Sequence, residues 1–156
     1  MRIISNNLTQ TKNLGKKIAS LLKEGDFIAL YGDLGSGKTT LAQSIIKSLG
    51  VKEGYIISPT FVLIREYEGK LKIYHFDLYR LNYLEELLEL GYEDYFYRPK
   101  GVTLVEWAQK IEELLPREYL KIELFNRTET TRKIKITAYG KDLKERLKVL
   151  EKKIKK

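Results

Sequence analysis

Gly32-Asp33-Leu34-Gly35-Ser36-Gly37-Lys38-Thr39 is the stretch that decides how this chain folds. It satisfies the pattern G-x-x-x-x-G-K-[ST] in full. The almost wholly apolar run Phe27 to Tyr31 enters it, as expected of a strand covered on both faces. Thr39 to Leu49 leaves it as a helix, which Gly50 ends. Glycines at this spacing let the main chain bend so that successive N–H groups converge, and they place no side chain in the concavity. The helix that follows turns its free N–H groups and positive dipole end to the same point. Lys38 adds a charge for β- and γ-phosphates, and the Thr39 hydroxyl is a Mg²⁺ ligand. The stretch predicts a phosphate cradle for a nucleotide.

Outward from the loop, strands and helices alternate. Thr9 to Lys23 reads as a helix, with Leu14, Ile18, Leu21 and Leu22 on one face. Phe61 to Glu66 and Leu71 to Asp77 read as strands joined by a turn at Glu68-Gly69-Lys70. Leu84 to Leu90 is a helix closed by Gly91, Val102 to Val105 a buried strand, and Glu112 to Leu115 a helical turn stopped by Pro116. Tyr119 to Phe125 and Lys133 to Tyr139 are two further strands. The order predicts an α/β fold of the P-loop NTPase type, with a mainly parallel central sheet and helices on both faces. We expect one such domain over residues 1–140, with 141–156 as a basic amphipathic helix docked on it.

The 156 residues are 43% apolar and 32% charged, as in a folded soluble chain, and no run reaches the ~20 apolar residues of a membrane span. Without cysteine there is no thiolate nucleophile, disulfide or Cys-bound zinc. The opening Met1-Arg2-Ile3-Ile4-Ser5-Asn6 lacks the apolar core of a secretory signal, so we expect a cytosolic protein. The net charge is +8, but Lys141 to Lys156 holds eight basic and three acidic residues, leaving +3 for the other 140. Leu143, Leu147, Leu150 and Ile154 stripe that segment at helical spacing. Composition does not choose between a solvated basic face and one that meets RNA or an acidic partner.

Val102-Thr103-Leu104-Val105-Glu106 ends in a carboxylate that is either the acid that holds Mg²⁺ from the neighbouring strand, directly or through water, or a solvent-exposed Glu at a strand end. Asp77 ends its strand in the same manner, either orienting an attacking water, joining the metal shell, or capping the helix or turn that follows. Ser58-Pro59-Thr60 is a rigid turn with two hydroxyls, either a plain loop or a γ-phosphate sensor. His75, the single histidine, reads by default as a partly buried strand residue. Trp107 is core or a flat contact for a partner, and Arg127 and Arg132 flank a loop that is solvated or reaches the nucleotide.

Taken in order, Gly32 to Thr40, Ser58-Pro59-Thr60-Phe61, His75-Phe76-Asp77-Leu78-Tyr79-Arg80-Leu81 and Val105-Glu106-Trp107 resemble the TsaE (YjeE) family. The resemblance runs from about Thr9 to Gly140; Ser36 stands where Ala is frequent, and the basic tail lies outside the shared pattern. It implies a small bacterial ATPase needed to make the N6-threonylcarbamoyl group (t6A) on adenosine 37 of tRNAs that read ANN codons. It implies that Gly35, Ser36, Gly37, Lys38, Thr39 and Thr40 bind the phosphates of ATP, with Thr39 and Glu106 on Mg²⁺. Asp77 would serve hydrolysis, Thr60 would act as a switch near the γ-phosphate, and Trp107 would lie beside the nucleotide. Thr11 and Arg132 would sit near the adenine or ribose. The family's ATPase is weak alone and works with the TsaD and TsaB subunits, TsaD performing the transfer to tRNA. Contact of the ATPase with tRNA itself would be indirect or weak.

Other classes fit less well. A small-molecule P-loop kinase, the alternative, usually carries a mobile lid with several arginines, and this chain offers Arg127 and Arg132 in one loop. A GTPase should carry an Asn-Lys-x-Asp block, which is missing. A non-enzymatic RNA-binding module would leave the phosphate cradle without a purpose.

Overall fold

The computed structural model describes residues 1–56 and 63–156. Ser58-Pro59-Thr60, and the start of the strand expected from Phe61, lie outside them. In chain order the elements are β1 (Arg2–Ser5), α1 (Leu8–Ala19), β2 (Phe27–Tyr31), α2 (Lys38–Ser48), β3 (Ile64–Glu68), β4 (Lys72–Asp77), α3 (Leu84–Glu89), α4 (Glu93–Phe96), β5 (Val102–Glu106), β6 (Tyr119–Asn126), β7 (Arg132–Tyr139) and α5 (Lys141–Lys155). Short 3₁₀ segments occur at Glu53–Tyr55 and Ala108–Leu114.

The strands form one sheet in the order β1-β7-β6-β2-β5-β4-β3. Its centre, β6-β2-β5-β4, is parallel, and its flanks, β1-β7-β6 and β4-β3, are antiparallel. The predicted α/β class with a parallel centre is therefore present. All five residues of β2 and all five of β5 are buried, which is why β2 reads as a nearly unbroken apolar run and β5 as one interrupted only by Thr103 before its terminal Glu106.

Two apolar layers cover the sheet. One joins Ile28, Leu30, Leu104, Ile122 and Ile136 to residues of α1, α2 and α5. The other joins Phe27, Ala29, Phe76 and Val105 to Leu87, Phe96, Ala108 and Ile111 from α3, α4 and the 3₁₀ segment. Phe96 packs edge-on against Phe27 at 4.9 Å and Phe76 at 5.4 Å, a favoured aromatic geometry.

The C-terminal helix is tied to the body by more than its stripe. Leu143, Leu147 and Leu150 are buried in the first layer, each removal from water gaining about 1.5–3 kcal/mol before entropy. Arg146 grips Asp26 in a fork, NH1 to Oδ2 at 2.6 Å and NH2 to Oδ1 at 2.8 Å, and NH1 also donates to the Leu21 carbonyl at 2.5 Å. Lys23 reaches Asp142 at 3.5 Å.

Several boundaries differ from expectation. The first helix ends at Ala19 rather than Lys23, because Ser20 turns back to donate its hydroxyl to the Lys17 carbonyl. Leu22 nonetheless stays in the core. The helical turn expected from Glu112 begins at Ala108. The edge strand Arg2–Ser5, which the sequence reading left unassigned, pairs with β7 in the register Arg2 to Lys135 and Ser5 to Arg132.

Candidate nucleotide site

β2, β4 and β5 run parallel, so their C-terminal ends open at one edge of the sheet. The register sets Asp77 opposite Glu106, and Glu106 opposite Leu30, one residue before Tyr31 and the loop. The loop's shape requires its glycines. A Cβ on Gly32 would meet Ser36 Oγ at 2.5 Å and the Leu124 carbonyl at 2.7 Å, and Gly37 opens α2 with φ 100°, which side chains disfavour. A cleft of about 530 Å³ lies over this edge, lined by loop residues Leu34 to Thr40 and by Asn7, Thr11, Asp77, Trp107 and Arg132 among others.

Lys38 is buried, with its ammonium folded onto the loop. It donates to the carbonyls of Asp33 at 2.7 Å and Gly32 at 2.8 Å, and to Ser36 Oγ at 3.2 Å. Burial pushes its pKa below the ordinary lysine value, against the opposing fields of Glu106, Asp77 and Asp33. The Trp107 ring lies 4.0 Å from the same ammonium, a cation–π contact. Trp107 takes a left-handed backbone, φ 62° and ψ 38°, where the chain turns from β5 into the 3₁₀ segment. A bulky residue there costs of order 1–3 kcal/mol, and such strain clusters at functional sites.

Glu106 is the hub of the polar layer. The Thr39 hydroxyl donates to its Oε1 at 2.6 Å, and His75 Nε2 bonds its Oε2 at 2.6 Å. With both carboxylate oxygens accepting, Nε2 carries the proton. His75 is fully buried, and its Nδ1 has no partner among the described residues. His75 is thus the buried strand histidine the sequence reads as the default, fully rather than partly buried, and its bond to Glu106 joins it to the site. The available signal was its position two residues before Asp77, on the same face of β4. Asp77, also buried, accepts at Oδ1 from the Tyr79 amide at 3.0 Å, the contact expected of a turn cap.

Arg132 lines the cleft and braces the loop as well. It donates to the Ser36 carbonyl at 3.1 Å and the Gly35 carbonyl at 3.2 Å, and to carbonyls of the loop between β6 and β7. Gln109 supports the loop from behind, its Nε2 donating to the Gly32 carbonyl at 3.0 Å. At the other end Thr11 is buried and its hydroxyl is 2.7 Å from that of Ser5. Asn7, missed by the sequence reading, lines the cleft and caps α1 by accepting from the Gln10 amide at 2.9 Å. Thr60 lies outside the described residues.

Residues 5–134 match the family model described as "Threonylcarbamoyl adenosine biosynthesis protein TsaE". This chain belongs to the TsaE family. It is 43% identical over 135 residues to the tRNA threonylcarbamoyladenosine biosynthesis protein TsaE of Bacillus subtilis, covering 86% of this chain and 83% of that protein. The TsaE of Treponema pallidum is 36% identical, over 80% of this chain and 90% of its own length. Among solved structures, Bacillus subtilis YdiB superposes with a TM-score of 0.83 at 35% identity, covering 97% of this chain and 94% of that one. The TsaE match ends before α5, whereas the structural match extends over nearly the whole chain.

Proposed function

We propose that this chain is the ATP-binding and ATP-hydrolysing component of tRNA threonylcarbamoyladenosine formation, acting with TsaD and TsaB in the cytoplasm. The observation that carries the reading is the 2.6 Å contact of the Thr39 hydroxyl with Glu106, beside buried Asp77 at the mouth of a glycine cradle. Hydroxyl and carboxylate oxygens are the hard donors that Mg²⁺ takes, and the cradle has the size and amide-rich lining for phosphates. Thr39 and Glu106 would hold the ion, with phosphate and water oxygens completing its shell. When bound, Mg²⁺ neutralises charge on the phosphates.

The chain's own groups do the rest. Amides of residues 35–40 cradle the phosphates, and Lys38 exchanges its carbonyl partners for the β- and γ-oxygens. Anionic phosphate oxygens beside that ammonium would oppose the downward push of burial on its pKa. Asp77 accepts a hydrogen bond from the attacking water and aims it in line with the bond to the γ-phosphorus. Trp107 closes the phosphate end against solvent, while Thr11 and Arg132 lie along the reach of the nucleoside. Thr60 is proposed as the residue that senses the γ-phosphate. Among the described residues no helix is long and apolar enough to cross a membrane.

The small-molecule kinase alternative is not favoured, since the relatives that match carry the name of the tRNA modification. The test is phosphate release from ATP by the purified chain, alone and with TsaD and TsaB. We expect slow release that the partners stimulate and that Lys38→Ala abolishes. Release that needs a small phosphate acceptor would restore the kinase.

A further inference from the structure

On the side of the sheet away from α1, α2 and α5, helical segments cover β2, β5 and β4; β6 is half-covered there, Tyr119 packing on that layer and Lys121 lying 4.3 Å from the Tyr31 ring, and β7 and β1 beyond it carry the more exposed outward residues. The alternation is strict. In β6, Leu120, Ile122 and Leu124 point into the core, and Tyr119, Lys121, Glu123 and Phe125 point out. In β7, Ile134, Ile136 and Ala138 point in, and Lys133, Lys135, Thr137 and Tyr139 point out.

Register arranges these outward residues in rows. Ile4, Lys133 and Phe125 form one, Arg2, Lys135 and Glu123 the next, then Thr137 with Lys121, and last Tyr139 with Tyr119. Four cations thus occupy the face against one acid, and that acid sits 3.7 Å from both Lys121 and Lys135. Glu112, at the margin, is engaged by a hydrogen bond from Tyr31. Aromatic rings stand at both ends: Phe125 is 47% exposed, and Tyr139, 39% exposed, stacks on Tyr119 at 4.7 Å. The seven residues from Tyr119 to Phe125 span about 20 Å of extended strand.

We propose that this face binds RNA as a single-stranded segment, with bases stacked on Phe125 and on the Tyr119–Tyr139 pair and phosphates held by Arg2, Lys121, Lys133 and Lys135. An exposed pleated surface carrying aromatics among cations is the chemistry by which sheets hold unpaired bases, and stacking on an aromatic is worth about 1–3 kcal/mol per base. A second observation points to a ligand at the Phe125 end. A groove of about 320 Å³ lies between Phe125, Asn126, Gly32 and Gln109, and the buried Oε1 of Gln109 has no partner among the described residues. Gln109 also donates to the Gly32 carbonyl, so RNA in this groove touches the back of the phosphate loop. The choice of RNA over another polyanion rests on the function proposed above.

The experiment is fluorescence anisotropy with two labelled probes, an unmodified tRNA transcript and a uridine oligonucleotide of about 12 nucleotides. Phe125→Leu removes the ring but keeps an apolar side chain and should weaken binding roughly tenfold, while Phe125→Tyr restores it. Lys133→Ala with Lys135→Ala should weaken binding and reduce the slope of log affinity against log salt by about 0.7 for each lost phosphate contact. Lys144→Ala with Lys148→Ala, on the exposed side of α5, should leave binding within twofold of wild type. All three sites are solvent-exposed in whole or part, so thermal melting should not change.

Wild-type affinity retained in Phe125→Leu overturns the proposal, because simple charge attraction would then explain the binding. So does an equal loss in the α5 pair. Failure of the wild type to bind either probe, with the face variants instead weakening association with TsaD or TsaB, assigns the surface to protein and also overturns it. Phosphate release from ATP by the same wild-type sample separates this failure from that of the ATPase reading.

Discussion

The two halves of the sheet treat charge in opposite ways. In the parallel half, β2, β5 and β4 are covered on both faces, and the ionisable side chains buried there gather near the C-terminal strand ends as His75, Asp77 and Glu106. In the antiparallel half, β6, β7 and β1 alternate, with apolar groups inward and lysines outward. A charge inside the first half costs several kcal/mol unless bonded, so its presence marks chemistry. A lysine on the second half costs almost nothing, and single residues there carry no message. Only their accumulation with exposed rings does.

The largest effect that can break this contrast is at Lys38. Lys38→Ala should weaken ATP roughly 100-fold or more, the worth of charge-assisted bonds at about 1.5–3 kcal/mol each, measured by calorimetry. A loss under threefold would place the parallel half's buried charge outside nucleotide binding. Next come the strand-end acids. Asp77→Asn and Glu106→Gln keep the shapes and should slow phosphate release by about 10²–10⁴ while leaving ATP affinity within severalfold. Equal losses in binding and hydrolysis would make both acids structural.

A stability change of intermediate size sharpens the picture at the border of α5. Arg146→Ala leaves Asp26 buried without its fork and should cost about 3–5 kcal/mol, lowering Tm by roughly 6–20 °C for a chain of this size. Replacing both, Arg146→Met with Asp26→Leu, should recover most of that. A double variant as unstable as the single one would show that the helix docks through its leucines alone. The smallest effect belongs to the outward face of β7: Lys133→Ala or Lys135→Ala should shift unfolding by no more than about 0.5 kcal/mol. A larger cost would mean that these lysines support the sheet.

The sequence disclosed the parallel half better than the other. Phe27 to Tyr31, the loop and α2 are contiguous, so one short stretch carries strand, cradle and helix together. Val102 to Glu106 was legible because a strand buried on both faces is apolar until its end, here with Thr103 excepted. β1 was not, because four residues at an edge have too few apolar positions to show a period, and their partners lie more than 125 residues away in β7. The bond from His75 to Glu106 spans 31 residues and exists only once β4 and β5 pair. The outward face of β6 and β7 was hidden for a related reason. Lys121, Lys133 and Lys135 read as ordinary solvated residues until register gathers them in space.

The most direct test of the central claim is a calorimetric titration of ATP into the purified chain with magnesium present. The account predicts saturable binding at one site per chain, tighter with magnesium than with a chelator. No binding at millimolar ATP, with the chain folded and magnesium supplied, would contradict it.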